Sequence, residues 1–478
     1  MKKIKIDEYK NILIIGAGIG GKLLKKDIEK NYPECKIIGF VDDKDLGNSK
    51  EKVLGEIDDL SKINKIYRVD EMVIAIPSAD GKLIRRILLN NMKNRVPFRI
   101  VPRNQRIINK DHVRYSEVTD LELEDFLGRP FLKKNVKKLS NFYKNKTVMI
   151  TGGAGSIGSE IVRQLLDLEI KKVIIYDNSE YLTFSLHQNL RDKGVDPKKY
   201  KFIIGNILNR GKLDRVIRNE KPDFIFHAAA YKHVYLMEEN IDEAVLNNII
   251  GTKNIVDVAI KNGVKNFIFI ATDKVVNPSS IMGATKKISE YYIKCVHSNK
   301  KSKTKFNIVR FGNVINSNGS VLPLFEKQIK DYKYVTVTHK DVRRFFMSIR
   351  EASQLVINSA TRNRQGEIFI LDMGELINIY ETALCLIRSK NLIPGKDVEI
   401  KFIGLKPGEK ILEELFTDTE IKNLVKTDID NVFRLKNFDE CPMDINELIS
   451  DFEIMLEENV SEIKLREYFV KIFPSLKK

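Results

Sequence analysis

Tryptophan is absent from this 478-residue chain, and cysteine and histidine are scarce. The four cysteines, Cys35, Cys295, Cys385 and Cys441, lie far apart with no C-x-x-C pair. That argues against a disulfide framework and against a thiolate zinc site. Reduced thiols fit a cytoplasmic setting. The six histidines show neither H-x-x-x-H nor H-E-x-x-H spacing, so no metal is expected. No apolar run approaches the roughly 18–20 residues of a membrane span. The N-terminus is basic, but a strand and a glycine turn follow it, not the pattern of a signal peptide. A cytoplasmic protein is expected, with peripheral membrane association left open. There is no solenoid-length repeat and no low-complexity tract.

What is present is ordinary for a globular protein: 43% hydrophobic and 31% charged residues. The length suits two or three domains. The net charge is +17, from 82 Lys and Arg against 65 Asp and Glu. Such an excess is either spread over solvated surface or draws something anionic, such as a nucleotide-linked substrate. Basic residues do not gather in one arm or helix, and no nucleic-acid motif appears, so no nucleic-acid partner is expected.

The apolar run Asn11–Ile15 leads into G-A-G-I-G-G, with Gly16, Gly18 and Gly21 in G-x-G-x-x-G register, and then a helix over Lys22–Glu29. Strand, glycine turn and helix are the context in which a phosphate approaches a helix N-terminus. Strands over Lys36–Val41, Glu71–Ile76 and Phe98–Val101 and a helix over Lys82–Asn90 complete an alternating β/α unit. Its glycine turn either binds a nucleotide or is a scaffold without ligand. Residues His112–Asn145, charged and holding L-E-D-F-L-G-R-P at Leu123–Pro130, read as a linker packing on both domains.

A second unit opens with a strand, Lys146–Ile150, and T-G-G-A-G-S-I-G, which spaces Gly152, Gly155 and Gly158 as G-x-x-G-x-x-G before a helix, Ser159–Leu166. The strand Lys172–Tyr176 ends at Asp177, about 20 positions past the glycines, where a carboxylate accepts from an adenosine ribose and repels a 2′-phosphate. NAD is therefore favoured over NADP. Ser156 and Ile157 belong to the same turn. The strand Lys201–Ile204 leads to Asn206 and Ile207, expected on the adenine side. The strand Asp223–Phe226 leads to H-A-A-A-Y-K-H, in which Ala228, Ala229 and Ala230 leave room for a cofactor. His227 and His233 read as packed or backbone-bonded side chains. A helix carrying Asn247 and Asn248 precedes the strand Phe267–Ile270, and A-T-D-K-V-V-N-P-S-S-I-M-G-A-T-K, Ala271–Lys286, follows. Further strands are expected at Asn307–Phe311 and over V-T-V-T-H-K-D-V-R-R-F-F-M, and a helix at Ile349–Ala360. The tail, Asp444–Phe473, has helical apolar spacing at Leu448, Phe452, Ile454 and Met455 and reads as packing or oligomer surface.

Seven blocks in order carry a resemblance: TGGAGSIGSE, HAAAYKHVYLME, ATDKVVNPSSIMGATK, VRFGNVINSNGSVLPLF, RRFFMSIREA, GEIFILDMG and LKPGEKILEEL. From about Leu123 to Asp439 the chain resembles the extended short-chain dehydrogenases of the polysaccharide-biosynthesis group, and more narrowly the UDP-N-acetylglucosamine 4,6-dehydratases. The first unit resembles the Rossmann-like domain that precedes the catalytic part in larger members, though their transmembrane helices have no counterpart here. Tyr235 stands where proline usually follows HAAAYKHV, and Lys406 where arginine is frequent. The fold implied is α/β with two Rossmann-like parallel-sheet domains. The expected parts are 1–111, a linker 112–145, a catalytic domain 146–440 with a small C-terminal substrate-binding part, and a helical tail 441–478. A homo-oligomer is expected in this fold.

The resemblance implies a reaction. C4 of the sugar is oxidised, water leaves across C5–C6, and the hydride returns to C6, so the cofactor ends as it began. Asp273 becomes the candidate acid at the C6 oxygen, and Lys274 the candidate base at C5, which must be held neutral. Thr272 and Lys286 orient the C4 oxygen and the nicotinamide ribose. The family's Tyr-x-x-x-Lys is here Met282-x-x-x-Lys286, which matches the branch that retains configuration at C5. The C4 hydroxyl proton then passes to Asp273 or to water. Lys232 is carried over toward the substrate diphosphate, and Asn313, Arg344 and Glu409 as UDP-sugar contacts. Rival expectations are a UDP-hexose 4-epimerase, which needs the tyrosine, and a non-catalytic NAD-binding scaffold or sensor, which has no use for T-D-K.

Overall fold

The computed structural model describes residues 9–44, 51–102, 113–128, 136–298, 302–362, 366–435 and 440–477. The chain packs as two units: Met1–Pro130 with Val321–Val342 and Ile377–Gly404, and Phe131–Ser320 with Arg343–Leu376 and Leu405–Lys478. This division differs from boundaries drawn along the chain, because two late segments return to the N-terminal unit.

In the first unit, five strands run in the order Cys35–Val41, Lys10–Ile15, Glu71–Ile74, Phe98–Ile100 and Thr119–Asp120. The first four are parallel and the last is antiparallel. Their apolar runs are buried on both faces, as a sheet between helices requires. The helices Ile19–Asn31 and Gly81–Leu89 extend the expected spans by a few residues at most. The returning segments add the helices Val321–Tyr332 and Ile379–Ser389 and a parallel pair, Tyr334–Val337 with Glu399–Phe402. Arg388 explains why they belong here. Its guanidinium is buried, donates to the carbonyls of Asn91 and Val96 at 3.1 Å each, and lies over the Phe98 ring.

The second unit holds a nine-stranded sheet. Its order is Leu424–Lys426, Val432–Leu435, Glu367–Leu371, Lys305–Arg310, Asn266–Ile270, Phe224–His227, Thr147–Thr151, Lys172–Asp177 and Tyr200–Ile204. The last seven are parallel, and Val432–Leu435 pairs antiparallel with both Glu367–Leu371 and Leu424–Lys426. In such open sheets ligands sit at the carboxyl ends of the strands, where the order reverses. The Thr147–Thr151 and Phe224–His227 ends meet that description.

Two sequence expectations change. The stretch Val335–Met347 is not one alternating strand. It breaks at a turn, where the amide of Val342 donates to the His339 carbonyl at 3.3 Å, and continues as Arg343–Arg344 and Phe346–Ser348. The tail is two helices, Ile445–Glu457 and Glu462–Ile472. Leu448 and Phe452 are buried but Ile454 is exposed, so the inward stripe runs through Ile449 instead. Within the expected linker, Phe126 lies in the first unit's core and Tyr143 in the second's, the Tyr143 hydroxyl donating to the Ile357 carbonyl at 2.9 Å. Residues 129–135 of that linker lie outside the described residues.

Candidate active site

The glycine turn of the second unit is built by close backbone approach. Gly152 has φ +65°, and a Cβ there would meet the Ala229 amide nitrogen at 2.6 Å. A Cβ at Gly158 would strike the Gly152 carbonyl. Gly155 differs: its only near neighbour is that same carbonyl at 3.3 Å, so its outer face is clear. It precedes the helix Ser156–Leu166, whose first amides have no helical partner and carry the positive end of the helix dipole. Asp177 sits at the end of the next strand. Its Oδ2 accepts from the Ala154 amide at 2.9 Å and its Oδ1 from the Ser179 amide at 2.9 Å. A carboxylate has about four acceptor positions, so about two remain for ribose hydroxyls. The Ser156 hydroxyl accepts from the Asn318 amide at 3.0 Å.

Two expected adenine-side residues are engaged locally. Asn206 caps its own loop, with Oδ1 accepting from the Leu208 amide at 2.9 Å. Ile207 is buried in the core beneath Gly251, so only its backbone is left for a ligand. Ala228 and Ala229 lie against Gly152, with the Ala228 amide bonded to the Thr151 carbonyl. Ala230 follows, partly exposed. His227 is buried between the hydroxyls of Thr151 and Thr252, at 2.6 and 3.0 Å, and burial pushes its pKa well down, so it is neutral.

The T-D-K stretch follows the strand Asn266–Ile270 as a single 3₁₀ turn, Asp273–Val275, with Thr272 accepting from the Lys274 amide. The helix Ile281–Ser298 crosses close to it: a Cβ at Gly283 would strike the Lys274 carbonyl. One helical turn after Met282 stands Lys286. Its Nζ donates to the Ile270 carbonyl at 2.8 Å and sits 3.9 Å over the Phe269 ring. Burial drives its pKa down to about 7, against the upward pull of Glu290. Met282 is buried in the apolar core, where a tyrosine hydroxyl would otherwise stand on this helix.

Asp273 is 2% exposed. Its Oδ1 accepts from the Thr272 hydroxyl at 2.8 Å and from Lys274 at 3.1 Å, while Oδ2 is buried with no hydrogen-bond partner. Burial and the Glu413 charge push its pKa up to about 6, although Lys274 and Thr272 pull the other way. Lys274 departs from expectation. Burial works to lower its pKa, but the charges of Asp273 and Glu413 outweigh it, and the net shift is upward. Its Nζ reaches Glu413 at 2.7 Å, Asn313 at 3.0 Å and Asp273 at 3.1 Å. Three acceptors for three hydrogens describe an ammonium, not a neutral amine. The depressed lysine of this site is Lys286.

The carried-over substrate residues gather beside this pair. Asn313 bridges Lys274 and Glu413, its Nδ2 donating to Glu413 at 3.0 Å. Arg344 pairs with Glu409 at 2.9 Å and with Glu413 at 3.3 Å. Lys232 is exposed and not part of the cluster's hydrogen bonds. Sequence reading missed Glu413, which stands in L-K-P-G-E-K-I-L-E-E-L without any local sign of its partner. It gave no role to Asn248, which ties the Tyr231 backbone to the Thr285 hydroxyl from a π-helical turn, Val245–Ile250. Such turns recur at functional sites. A third omission is the buried bridge Glu290–Arg310–Glu420, with contacts of 2.7–2.8 Å, which holds the Lys286 helix to the strand Lys305–Arg310.

Comparison with known proteins adds the following. The sequence model of a family described as polysaccharide biosynthesis protein matches residues 148–437, and one described as a CoA-binding domain matches residues 5–102. The capsular polysaccharide biosynthesis protein CapD of Staphylococcus aureus is 38% identical over 424 residues, covering 87% of this chain and 70% of its own. A UDP-glucose 4-epimerase of Rickettsia bellii is 34% identical over 312 residues, 64% of this chain and 85% of its own. The X-ray structure of Pen from Bacillus thuringiensis superposes with a TM-score of 0.57 at 35% identity, covering 66% of this chain and 98% of that one. Among the described residues no helix is long and apolar enough to cross a membrane.

Proposed function

The chain belongs to the polysaccharide biosynthesis protein family, and from that premise we propose that it is a UDP-N-acetylglucosamine 4,6-dehydratase that retains configuration at C5. The observation that carries the reading is the Asp273–Lys274 pair at a strand end, its carboxyl buried, in a site whose helix offers Met282 in place of a tyrosine. Elimination of water needs an acid and a base close together; epimerisation needs neither at this position.

The cofactor of this reading is NAD. Gly155 and the amides opening the helix Ser156–Leu166 fit its pyrophosphate, and Asp177 its adenosine ribose, where a 2′-phosphate would meet a carboxylate. Bound NAD supplies the seat on which the C4 hydride is held until it returns to C6. Lys286, fixed by the Ile270 carbonyl, would hold the nicotinamide ribose. Asp273 Oδ2 is buried without a hydrogen-bond partner. Its pKa near neutrality suits it to take the proton of the C4 hydroxyl and pass it to the departing C6 oxygen. Thr272 fixes the other oxygen of that carboxyl. Lys274 works at C5. Arg344, Asn313 and Glu409 lie beside the pair and meet the nucleotide-sugar, with Lys232 free to reach the diphosphate.

Proton NMR of the product in deuterated water tests the stereochemistry: the xylo 4-keto sugar is expected, and an arabino product refutes the Met282 argument. A second reading, UDP-hexose 4-epimerase, draws on the 34% identity to the Rickettsia protein. It predicts a product of unchanged mass.

A further inference from the structure

Glu413 has no expected role in the sequence, yet it makes the shortest contact of the Lys274 ammonium, 2.7 Å. It is buried, and the groups that face it come from four segments. Lys274 and Asp273 lie on the 3₁₀ turn, Asn313 on the short strand Asn313–Ile315. Arg344 and the Phe345 amide come from the strand region beyond, and Glu409 stands behind Arg344 on Glu413's own loop. An ammonium with all its hydrogens engaged cannot take a proton from carbon. It must first give one away.

The three acceptors of Lys274 are not equal in this. The Asn313 amide oxygen does not hold a proton. Asp273 Oδ1 already accepts from Thr272, and that carboxyl is needed at the C6 oxygen. Glu413 is left. Burial raises its proton affinity; the charges of Lys274 and Arg344 lower it, so at rest it is the carboxylate.

We propose that Glu413 takes the ammonium proton of Lys274 and so leaves a free amine aimed at the C5 hydrogen. The proposal rests on the dehydratase reading. The Nζ–H bond breaks and an Oε1–H bond forms; ammonium and carboxylate become amine and carboxylic acid, with no net change of charge. The amine lone pair removes the C5 proton once C4 is a carbonyl. The C5–H electron pair expels the C6 oxygen, which leaves as water with the proton that Asp273 took from the C4 hydroxyl when C4 was oxidised. Lys274 returns the C5 proton after the hydride reaches C6, and Glu413 gives its proton back to the amine. Glu413 is thus a positioning residue that acts through Lys274.

The test compares the full chain with Glu413→Gln and Glu413→Asp, with UDP-N-acetylglucosamine in deuterated water. Three readings are taken: NADH absorbance in a single turnover, deuterium at C5, and loss of water. In Glu413→Gln, C4 oxidation stays within about threefold of the parent while C5 exchange and water loss fall about 10²-fold, so NADH accumulates. Glu413→Asp keeps the acid at longer reach and recovers part of the exchange. A mere counter-ion predicts the opposite sign, since removing its charge frees the amine and C5 exchange is then undiminished in the Gln variant. A merely structural Glu413 loses C4 oxidation and C5 exchange in step. Either result overturns the proposal. If Glu413→Gln does not fold, Glu413→Asp decides, with C4 oxidation kept and exchange slowed as the supporting outcome and loss of both in step as the contrary one. If the parent chain itself forms no product lighter by one water, the dehydratase reading fails instead.

Discussion

The two glycine turns of this chain are near copies. In the first unit the Ala17 amide donates to Asp42 Oδ2 at 2.7 Å and the Lys44 amide to Oδ1 at 2.9 Å. In the second the Ala154 and Ser179 amides do the same to Asp177, at 2.9 Å each. A Cβ at Gly21 would strike the Gly16 carbonyl, as one at Gly158 would strike that of Gly152. Gly18, like Gly155, has a clear face. The units part at the strands beyond. Phe98–Ile100 ends in Val101 and Pro102, whereas Asn266–Ile270 ends in Thr272, Asp273 and Lys274. The glycine turn is therefore a local solution to bringing a helix against a strand, and reaction chemistry is added at a different strand end.

The largest effect expected from that contrast is at the strand end. Asp273→Asn lowers the dehydration rate by about 10²–10⁴-fold, measured by product formation from UDP-N-acetylglucosamine, with cofactor still bound. Activity kept within tenfold would remove Asp273 from the chemistry. Next come the turns. Asp177→Ala weakens NAD retention by about 10–100-fold, or ~1–3 kcal/mol for the hydrogen bonds lost, read as cofactor released from purified protein. Asp42→Ala leaves that retention unchanged and costs stability only; equal cofactor loss in the two variants would erase the distinction between the units.

A smaller effect concerns Lys286. Its folded pKa is about 7 against 10.5 unfolded, so the unfolded chain binds more protons between those values and stability rises as pH rises through that window. Replacing Lys286 with Met removes this dependence. Without cofactor, the variant is expected to gain in melting temperature relative to the parent at pH 6 and to lose that gain towards pH 10. A gap constant with pH would mean that Lys286 is charged at its carbonyl contact.

Much of this was legible locally. Apolar runs mark most strands of the two sheets to within one or two residues, because a strand covered on both faces must be apolar throughout; Glu367–Leu371 and the antiparallel-paired strands Thr119–Asp120, Leu424–Lys426 and Val432–Leu435 were not read. The T-D-K turn and Gly283 are likewise written in adjacent residues. What local pattern does not encode is long-range pairing. Glu413 meets Lys274 across 139 positions, and in sequence I-L-E-E-L reads as any amphipathic stretch. Without that partner Lys274 looked like an amine to be neutralised by burial; with it, the residue is an ammonium. Arg388 shows the same limit for the fold, since its carbonyl partners at Asn91 and Val96 lie 297 and 292 positions away and draw a late segment into the first unit.

The central claim is that Asp273 and Lys274 serve elimination in a site without tyrosine. Mass spectrometry of UDP-N-acetylglucosamine after incubation with the purified chain tests it most directly. A product lighter by one water, absent with Asp273→Asn, is the result predicted; an isomer of unchanged mass contradicts it.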